Sequence, residues 1–209
     1  MRRVSAVTFM MGILALGSGS QAEAQIEGIG VLVGPAFSSF RGNGSEGFNT
    51  HTGFAAGGFV NLSLNGAIGL RPEVFYVQKG ATLNTTPSTT YKIEYFEVPV
   101  LFTVDVPMDG VLGVQFYAGG QVSILSKCRA DNQGGATDFP CAAANPPLPV
   151  NSTDWGLIFG AELAIKMFLI DVRYDMGISQ IVDDPNINLK NQAIMVLGGV
   201  MFRFPGMGS

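Results

Sequence analysis

Apolar and polar residues alternate with a period of two along most of this chain. Eight segments show the alternation, and no long stretch carries the 3.6-residue period of an amphipathic helix. The segments lie at about 28–39, 51–62, 66–80, 91–104, 111–125, 154–166, 169–178 and 193–204. Because successive side chains of a strand point to opposite faces, each segment predicts a β-strand with one nearly uniform apolar face.

The connections between the predicted strands alternate between short and long. The connections after the second, fourth and sixth strands are short, at Ser63–Asn65, Asp105–Asp109 and Met167–Phe168. Those after the first, third, fifth and seventh run to roughly ten residues or more and are rich in Gly, Asn, Thr, Asp and Pro. Short turns at one rim and long loops at the other are typical of an up-and-down transmembrane β-barrel.

The stretch GLRPEVFYVQKGA, from Gly69 to Ala81, raises the question of which face of the strand meets water. Its apolar positions alternate with Arg71, Glu73 and Lys79. Backbone groups inside a bilayer must all be hydrogen bonded, so a sheet can cross only as a closed barrel. We therefore predict that the apolar face points outward into lipid and the charges point inward, the reverse of a soluble lipocalin-type barrel.

Charged residues on the predicted inner face are nearly balanced in sign. They are Arg71, Lys79, Lys166, Arg173 and Arg203 with Glu73, Glu97, Glu162, Asp171 and Asp175. An eight-stranded barrel is only wide enough for side chains to fill it. We predict a closed interior charge network without a water-filled pore, and a proton or ion relay along the axis is the alternative.

The N-terminus and the composition indicate where the protein is located and which partners it can bind. The basic start, the apolar run to Gly17 and the Ala22–Ala24 motif predict a cleaved secretory signal over residues 1–24, with an N-terminal membrane anchor as the alternative. The barrel domain is then predicted over 25–209. Only 13% of the residues are charged and the net charge is −4, with no Lys/Arg cluster to neutralise phosphates, so nucleic acid is not an expected partner.

Two cysteines predict a loop disulfide. Cys128 and Cys141 enclose twelve residues of a segment rich in Gly, Pro and Asn, and export would bring them to an oxidising compartment. Closure of such a loop is worth about 3 kcal/mol on the chain-entropy estimate. Two cysteines without histidine neighbours make a poor metal site, and no cofactor is predicted. The exposed turn Asp183–Asn186 could bind a divalent cation, although such turns are usually only solvated.

Aromatic residues near the strand ends are candidates for membrane-interface girdles. Tyr91, Tyr95 and Trp155 fall near the long loops, and Phe102, Phe168 and Phe204 fall near the short turns.

His51, the only histidine, raises the possibility of catalysis at the rim. Ser38, Ser39 and Ser45 lie nearby in sequence, but a hydrolase or acyltransferase needs a base beside a nucleophile and an orienting acid, and no motif fixes that geometry. We predict no enzymatic activity, with a lipid-modifying rim enzyme as an alternative.

Several strings resemble one known family. GLRPEVFYVQKG and then YFEVPVLF, at Tyr95–Phe102, resemble the third and fourth strands of the PorT-like outer-membrane β-barrel family, with their "rpE..Y.qKG" and "Y.eiPvl" patterns. GVQFYAGGQVS, DWGLIFGAEL and DVRYDMGISQI follow in the family's order. The resemblance implies an eight-stranded barrel similar to the OmpA and OmpX transmembrane domains, in a bacterium with an outer membrane. The namesake's link to protein secretion is not transferred.

Together these observations predict an all-β, eight-stranded antiparallel up-and-down barrel in the bacterial outer membrane. Its expected surroundings are outer-membrane lipid and lipopolysaccharide, with the barrel-assembly machinery as a partner during insertion and a monomer as the final state. The expected role is structural or a surface interaction through the long loops. A narrow channel or secretion-accessory barrel is the alternative.

Overall fold

A computed structural model of the chain describes residues 25–86, 88–106, 108, 112–132, 138–182 and 188–204. The predicted signal segment 1–24 and the acidic turn Asp183–Asn186 lie outside these ranges. Within the described ranges, no helix has both the length and the apolar character needed to cross a bilayer.

The described residues form nine β-strands and one short 3-10 helix. The strands are β1 Gln25–Arg41, β2 Phe48–Asn65, β3 Ile68–Leu83, β4 Thr89–Val106, β5 Leu112–Asn132, β6 Phe139–Pro140, β7 Thr153–Ile165, β8 Phe168–Gly177 and β9 Lys190–Arg203, and the 3-10 helix is Cys141–Ala143. Each of the eight predicted segments falls on one of the long strands. β6, with its two residues, was not predicted, because a two-residue strand carries no alternation to detect.

Eight strands close into one antiparallel barrel. The hydrogen-bonded order is β4-β3-β2-β1-β9-β8-β7-β5, and pairing between β4 and β5 completes the ring. The short strand β6 pairs only with Arg129 and Ala130, where β5 continues past its pairing with β7. The prediction of an eight-stranded antiparallel up-and-down barrel is confirmed.

The outside of the barrel is apolar on every one of its eight strands. Large exposed hydrophobic side chains include Val31, Phe54, Val74, Val98, Phe116, Phe159, Ile170 and Ile194, one from each strand. Apolar surface on this scale is far larger than a water-soluble monomer exposes, but it matches the lipid-facing band of a membrane barrel. The outward orientation of the apolar face agrees with the prediction.

The turn between β7 and β8 begins one residue earlier than predicted. Ile165 pairs with Phe168, so the two turn residues are Lys166 and Met167. Lys166 has a φ of 57°, a positive value that a type I′ hairpin turn requires. A turn at Met167–Phe168 predicts that Lys166 pairs with Leu169, whereas Ala164 pairs with Leu169, a difference of two residues. The predicted faces survive because a shift by an even number of residues keeps every side chain on its side.

The other two short turns are also displaced from their predicted positions. Asn65 pairs with Ile68, so the turn between β2 and β3 is Gly66–Ala67 in place of Ser63–Asn65. β4 runs on to Val106 and β5 begins at Leu112, so the predicted connection at Asp105–Asp109 starts too early.

At the long-loop end, β4 and β5 project beyond the rest of the barrel. The pairing of β5 with β7 stops at Ile124 and Thr153, whereas its pairing with β4 continues to Asn132 and Thr89. The upper part of β5 and the connection to β7 form a projection at residues 126–132 and 138–152, which we call the head. Both described chain ends lie at the opposite rim, where the Phe204 N–H donates to the Glu27 carbonyl oxygen at 3.0 Å.

Replacement of Val98 by Arg tests the lipid-facing side. Val98 is 40% exposed on β4, so the variant places a charge against acyl chains. If the site is near mid-membrane, folding into lipid should weaken by about 2 to 4 kcal/mol. Urea titration of folding into phospholipid vesicles measures the change, with Val98→Leu as the matched control. Folding of the Arg variant like wild type would contradict the outward orientation.

Candidate functional site: the barrel interior and its cap

Arg71 lies at the centre of the ion pairs nearest the short turns. Its Nε is 2.9 Å from Glu73 Oε1 and its Nη1 is 2.8 Å from Glu162 Oε2. Nη1 also donates to Gln115 Oε1 at 3.2 Å. The Arg71 side chain is completely buried, and a buried charge is tolerated only when paired and hydrogen bonded.

Arg173 on β8 joins this group through a shared carboxylate. Its Nη1 is 2.6 Å from Glu73 Oε2, and its Nε is 2.8 Å from Asp171 Oδ1. Glu73 therefore forms ion pairs with both arginines, and its two oxygens accept hydrogen bonds from Arg173 Nη1 and Nη2. The Tyr117 hydroxyl donates to Asp171 Oδ2, which completes the surroundings of that carboxylate.

Lys79 organises a second group nearer the long loops. Its Nζ is 2.7 Å from Glu97 Oε1 and also contacts Asp175 Oδ2. Gln121 Nε2 donates to Asp175 Oδ2 at 2.7 Å, and Ser123 Oγ donates to Glu97 Oε1 at 3.1 Å. Four strands, β3, β4, β5 and β8, thus meet at one buried ammonium group.

Aromatic rings stack on the two arginines, and each ring occupies space left by a glycine. The guanidinium carbon of Arg71 is 3.6 Å from the centre of the Phe59 ring, and that of Arg173 is 4.8 Å from the Phe75 ring. A Cβ at Gly30 would lie 2.4 Å from Phe59, one at Gly57 2.5 Å from Phe75, and one at Gly160 2.3 Å from Tyr117. The inner-face glycines therefore make room for the rings in a narrow barrel.

The network occupies one side of the interior only. β8 contributes charges at three successive inner positions, and β3 contributes three charges to the same face, which recurs at every second residue of a strand. The inner faces of β1 and β9 carry no buried charge and are mostly apolar, with Leu32, Ala36, Met195 and Leu197 all buried. The interior is therefore divided into a polar side and an apolar side that packs against it.

Eight of the ten predicted interior charges are buried, namely Arg71, Glu73, Lys79, Glu97, Glu162, Asp171, Arg173 and Asp175. The interior assignments of Lys166 and Arg203 are wrong, because both side chains are exposed. Lys166 lies in a turn, where strand alternation no longer applies. Arg203 is the last residue of β9, and its Nη1 donates to the Lys166 carbonyl oxygen at 3.3 Å.

Asp154 at the start of β7 is a buried charge that the predicted network omits. Its carboxylate accepts hydrogen bonds from Ser179 Oγ and, at 2.7 Å, from Asn191 Nδ2. The same alternation that located Glu162 on β7 would have identified it.

Buried acids outnumber buried bases in the described part of the chain. The acids are Glu73, Glu97, Asp154, Glu162, Asp171 and Asp175, and the bases are Arg71, Lys79 and Arg173. The predicted five-to-five balance is therefore wrong. Neutral donors such as Tyr117, Gln121 and Ser123 supply hydrogen bonds where basic side chains are lacking.

An apolar cluster, which we call the cap, covers the long-loop end of the interior. It consists of Phe40, Ala81, Tyr91, Ile93, Tyr95, Ala130, Cys141, Ala144, Leu148, Ile181, Val182 and Leu189. The Tyr91 hydroxyl donates to the Pro146 carbonyl oxygen at 2.6 Å, which ties β4 to the head. The predicted disulfide between Cys128 and Cys141 is present, with 5.5 Å between the Cα atoms, and within the head it joins the end of β5 to the 3-10 helix.

Two of the six predicted girdle residues are wrong. Tyr91 and Tyr95 are fully buried in the cap, because odd-numbered positions of β4 share the inner face with Glu97. Trp155, Phe102, Phe168 and Phe204 are exposed on the outside, as a girdle requires. Sequence reasoning missed a row of rings across β2, β3 and β4, in which Tyr76 lies 5.5 Å from Phe54 and 5.7 Å from Phe96.

The serines near His51 form no catalytic pair with its imidazole within the described residues. Ser38 Oγ accepts from the Gly80 N–H at 2.8 Å and bonds the carbonyl oxygens of Gly80 and His51. Ser39 Oγ accepts from Gln192, and Ser45 Oγ donates to the Gly42 carbonyl oxygen. Nor do the described ranges contain three His, Cys, Asp or Glu side chains grouped so as to hold a metal ion.

Replacement of Lys79 by Met tests whether the interior depends on its charge pairing. The variant leaves Glu97 and Asp175 buried without their shared cation, so the free energy of unfolding should fall by about 3 to 5 kcal/mol. Lys92→Met is the matched control, because Lys92 is 41% exposed and its acidic partners are 3.4 and 3.8 Å away. The control should change stability by about 1 kcal/mol or less. Equal effects of the two variants in urea unfolding would contradict the assignment.

The chain is similar to several solved structures. Similar solved structures include Ail, the attachment invasion locus protein of Yersinia pestis, at 15% identity over 85% of this chain and 100% of that one, with a TM-score of 0.46. Neisserial surface protein A is 18% identical over 90% and 100%, with a TM-score of 0.48. OprG of Pseudomonas aeruginosa is 9% identical over 88% and 100%, with a TM-score of 0.49.

A comparison with curated proteins finds no significant match. The family model described as the outer membrane protein beta-barrel domain matches residues 21–183, well over half of the 209-residue chain. The chain therefore belongs to the outer membrane protein beta-barrel domain family and is a β-barrel protein of the bacterial outer membrane.

Proposed function

We propose that this protein is a closed, non-enzymatic barrel that anchors a rigid head at the cell surface, in a structural or surface-interaction role. The observation that carries the proposal is the double obstruction of the interior. Buried ion pairs fill the barrel, and the cap lies above them at the long-loop end. A solute would have to separate buried ion pairs and then displace the cap, and both steps are energetically costly.

The head has properties that suit a fixed binding surface. No charged residue occurs from Phe139 to Thr153, and the residues of this segment that point to solvent include Ala142, Pro146, Pro147 and Pro149. Leu148 and Cys141 are buried beneath them in the cap. Prolines and a disulfide reduce the conformational entropy that a loop loses when it binds. Within the head, the segment from Phe139 to Asn151 is thus preorganised for a partner that recognises an uncharged surface, and the charged residues Arg129, Asp131 and Asp138 lie beside it.

The proposed orientation places the head outside the cell and the short turns in the periplasm. Outer-membrane barrels have short periplasmic turns and longer extracellular loops, which is the asymmetry seen here. In this orientation the disulfide faces an oxidising environment. We propose export through a cleaved signal at residues 1–24, insertion by the barrel-assembly machinery, and a monomer surrounded by outer-membrane lipid and lipopolysaccharide.

Within its family, we propose that the chain is closest to the PorT-like barrels. The strings that carry the resemblance form adjacent strands, because GLRPEVFYVQKG lies in β3 and YFEVPVLF in β4. Arg71, Glu73, Lys79 and Glu97 all come from these two strings and all lie in the interior network. The resemblance therefore involves residues that pack the barrel, and it supports no transfer of a secretion role.

Planar-bilayer recording separates this proposal from a narrow channel. The purified protein should produce no steady single-channel current, because the ion pairs remain in place after insertion. A variant in which residues 142–149 are replaced by a Gly/Ser linker should also be silent, since the network lies below the cap. A large porin inserted in the same bilayer is the positive control. Steady, reproducible steps from the wild-type protein would contradict the closed barrel and favour the channel.

A further inference from the structure

A small cavity opens at the periplasmic end of the barrel interior. Its volume is about 30 Å³, enough for a single ion or one to two waters. Oxygen-bearing side chains form half of its lining, with Glu27, Asn61, Asp105, Gln115 and Glu162, and Arg203 lines it as well. The cavity adjoins the Arg71 group, because Gln115 and Glu162, which contact Arg71, also line it.

Asn61 provides the observation that points to a ligand. Its side chain lines the cavity and is 96% buried, and its Oδ1 atom has no hydrogen-bond partner among the described residues. The other end of the amide, Nδ2, contacts Met201 Sδ at 3.4 Å. A buried carbonyl oxygen without a partner is costly unless a donor or a cation occupies the adjacent space.

The charges around the cavity favour a cation over a neutral occupant. The half-buried Glu27 and Asp105 carboxylates repel each other, and Arg203 partly offsets the charge of Glu27. Asp105 Oδ1 accepts from Gln115 Nε2 at 2.9 Å, a neutral donor. Glu162 is already paired with Arg71. Among the described residues that line the cavity, Arg203 is the one base, and its side chain is exposed. It stands against the two carboxylates of Glu27 and Asp105.

We propose that this cavity binds one small divalent cation, Ca²⁺ or Mg²⁺, through Asn61 Oδ1 and the carboxylates of Glu27 and Asp105. These ions prefer oxygen ligands and complete their coordination with water, which enters from the periplasmic side. The described residues hold no three grouped acids for an all-carboxylate site, so an amide oxygen and water supply the remaining ligands. The site is independent of the function proposed for the head.

Isothermal calorimetry on the whole barrel, refolded in detergent free of lipopolysaccharide, tests the site with CaCl₂ and MgCl₂ separately at constant ionic strength. Wild type should bind one ion saturably. Asp105→Asn should weaken binding by roughly tenfold or more, and so should Asn61→Leu, which changes no charge. Arg203→Gln should strengthen binding, because it removes the competing cation. Glu46→Gln, in the loop at the opposite end, should match wild type.

The pattern of the variants decides between a coordinated ion and diffuse attraction. Unchanged affinity in Asn61→Leu together with weakened binding in Asp105→Asn would mean that cations are only attracted to the mouth, and it would overturn the proposal. Absence of saturable binding of either salt to wild type would overturn it as well. Each variant is first tested for the heat-dependent electrophoretic shift of a folded barrel. If Asp105→Asn does not fold, the other two variants still test the site. The cation affinity should fall in Asn61→Leu and rise in Arg203→Gln.

Discussion

The hydrogen-bond requirement of the peptide backbone in lipid is the constraint on which the rest of this structure depends. A bilayer offers no water to unpaired N–H and C=O groups, so the sheet must close on itself. Closure by pairing of β4 with β5 then fixes which residues face lipid and which face inward. Once the outside is apolar, the polar side chains of the same strands are confined to a narrow interior.

That confinement explains the composition of the interior. Each buried base contacts two carboxylates, and Glu73 joins both arginines into one group. Rings packed over glycines fill the space between the guanidinium groups and the barrel wall. The ion pairs and the rings pack together around the two arginines, so the same packing that makes the charges tolerable supports the closed barrel proposed above.

Much of this arrangement could be predicted because strand alternation is a strong signal. The sequence pattern located all eight barrel strands, their faces and eight buried charges, since a period of two extends over most of each strand and the register shifts lie near the strand ends. Prediction was poorest where alternation ends. Lys166 was misplaced because a turn residue has no strand face, and three turns were displaced because their boundaries depend on pairing. Tyr91 and Tyr95 were predicted to be girdle residues from their position along β4, but they lie on its inner face and are buried.

The cap could not be predicted from the sequence, because loop residues distant in sequence, such as Leu148 and Ile181, meet only after the barrel has formed.

Trp155 reports directly on whether the apolar outer face of this barrel lies in lipid. It is the only tryptophan and is 57% exposed on the outside of β7. Fluorescence of the refolded protein should be quenched by phospholipids brominated along their acyl chains, most strongly at positions near the interface, and little by aqueous acrylamide. Strong acrylamide quenching with no response to brominated lipid would contradict the account.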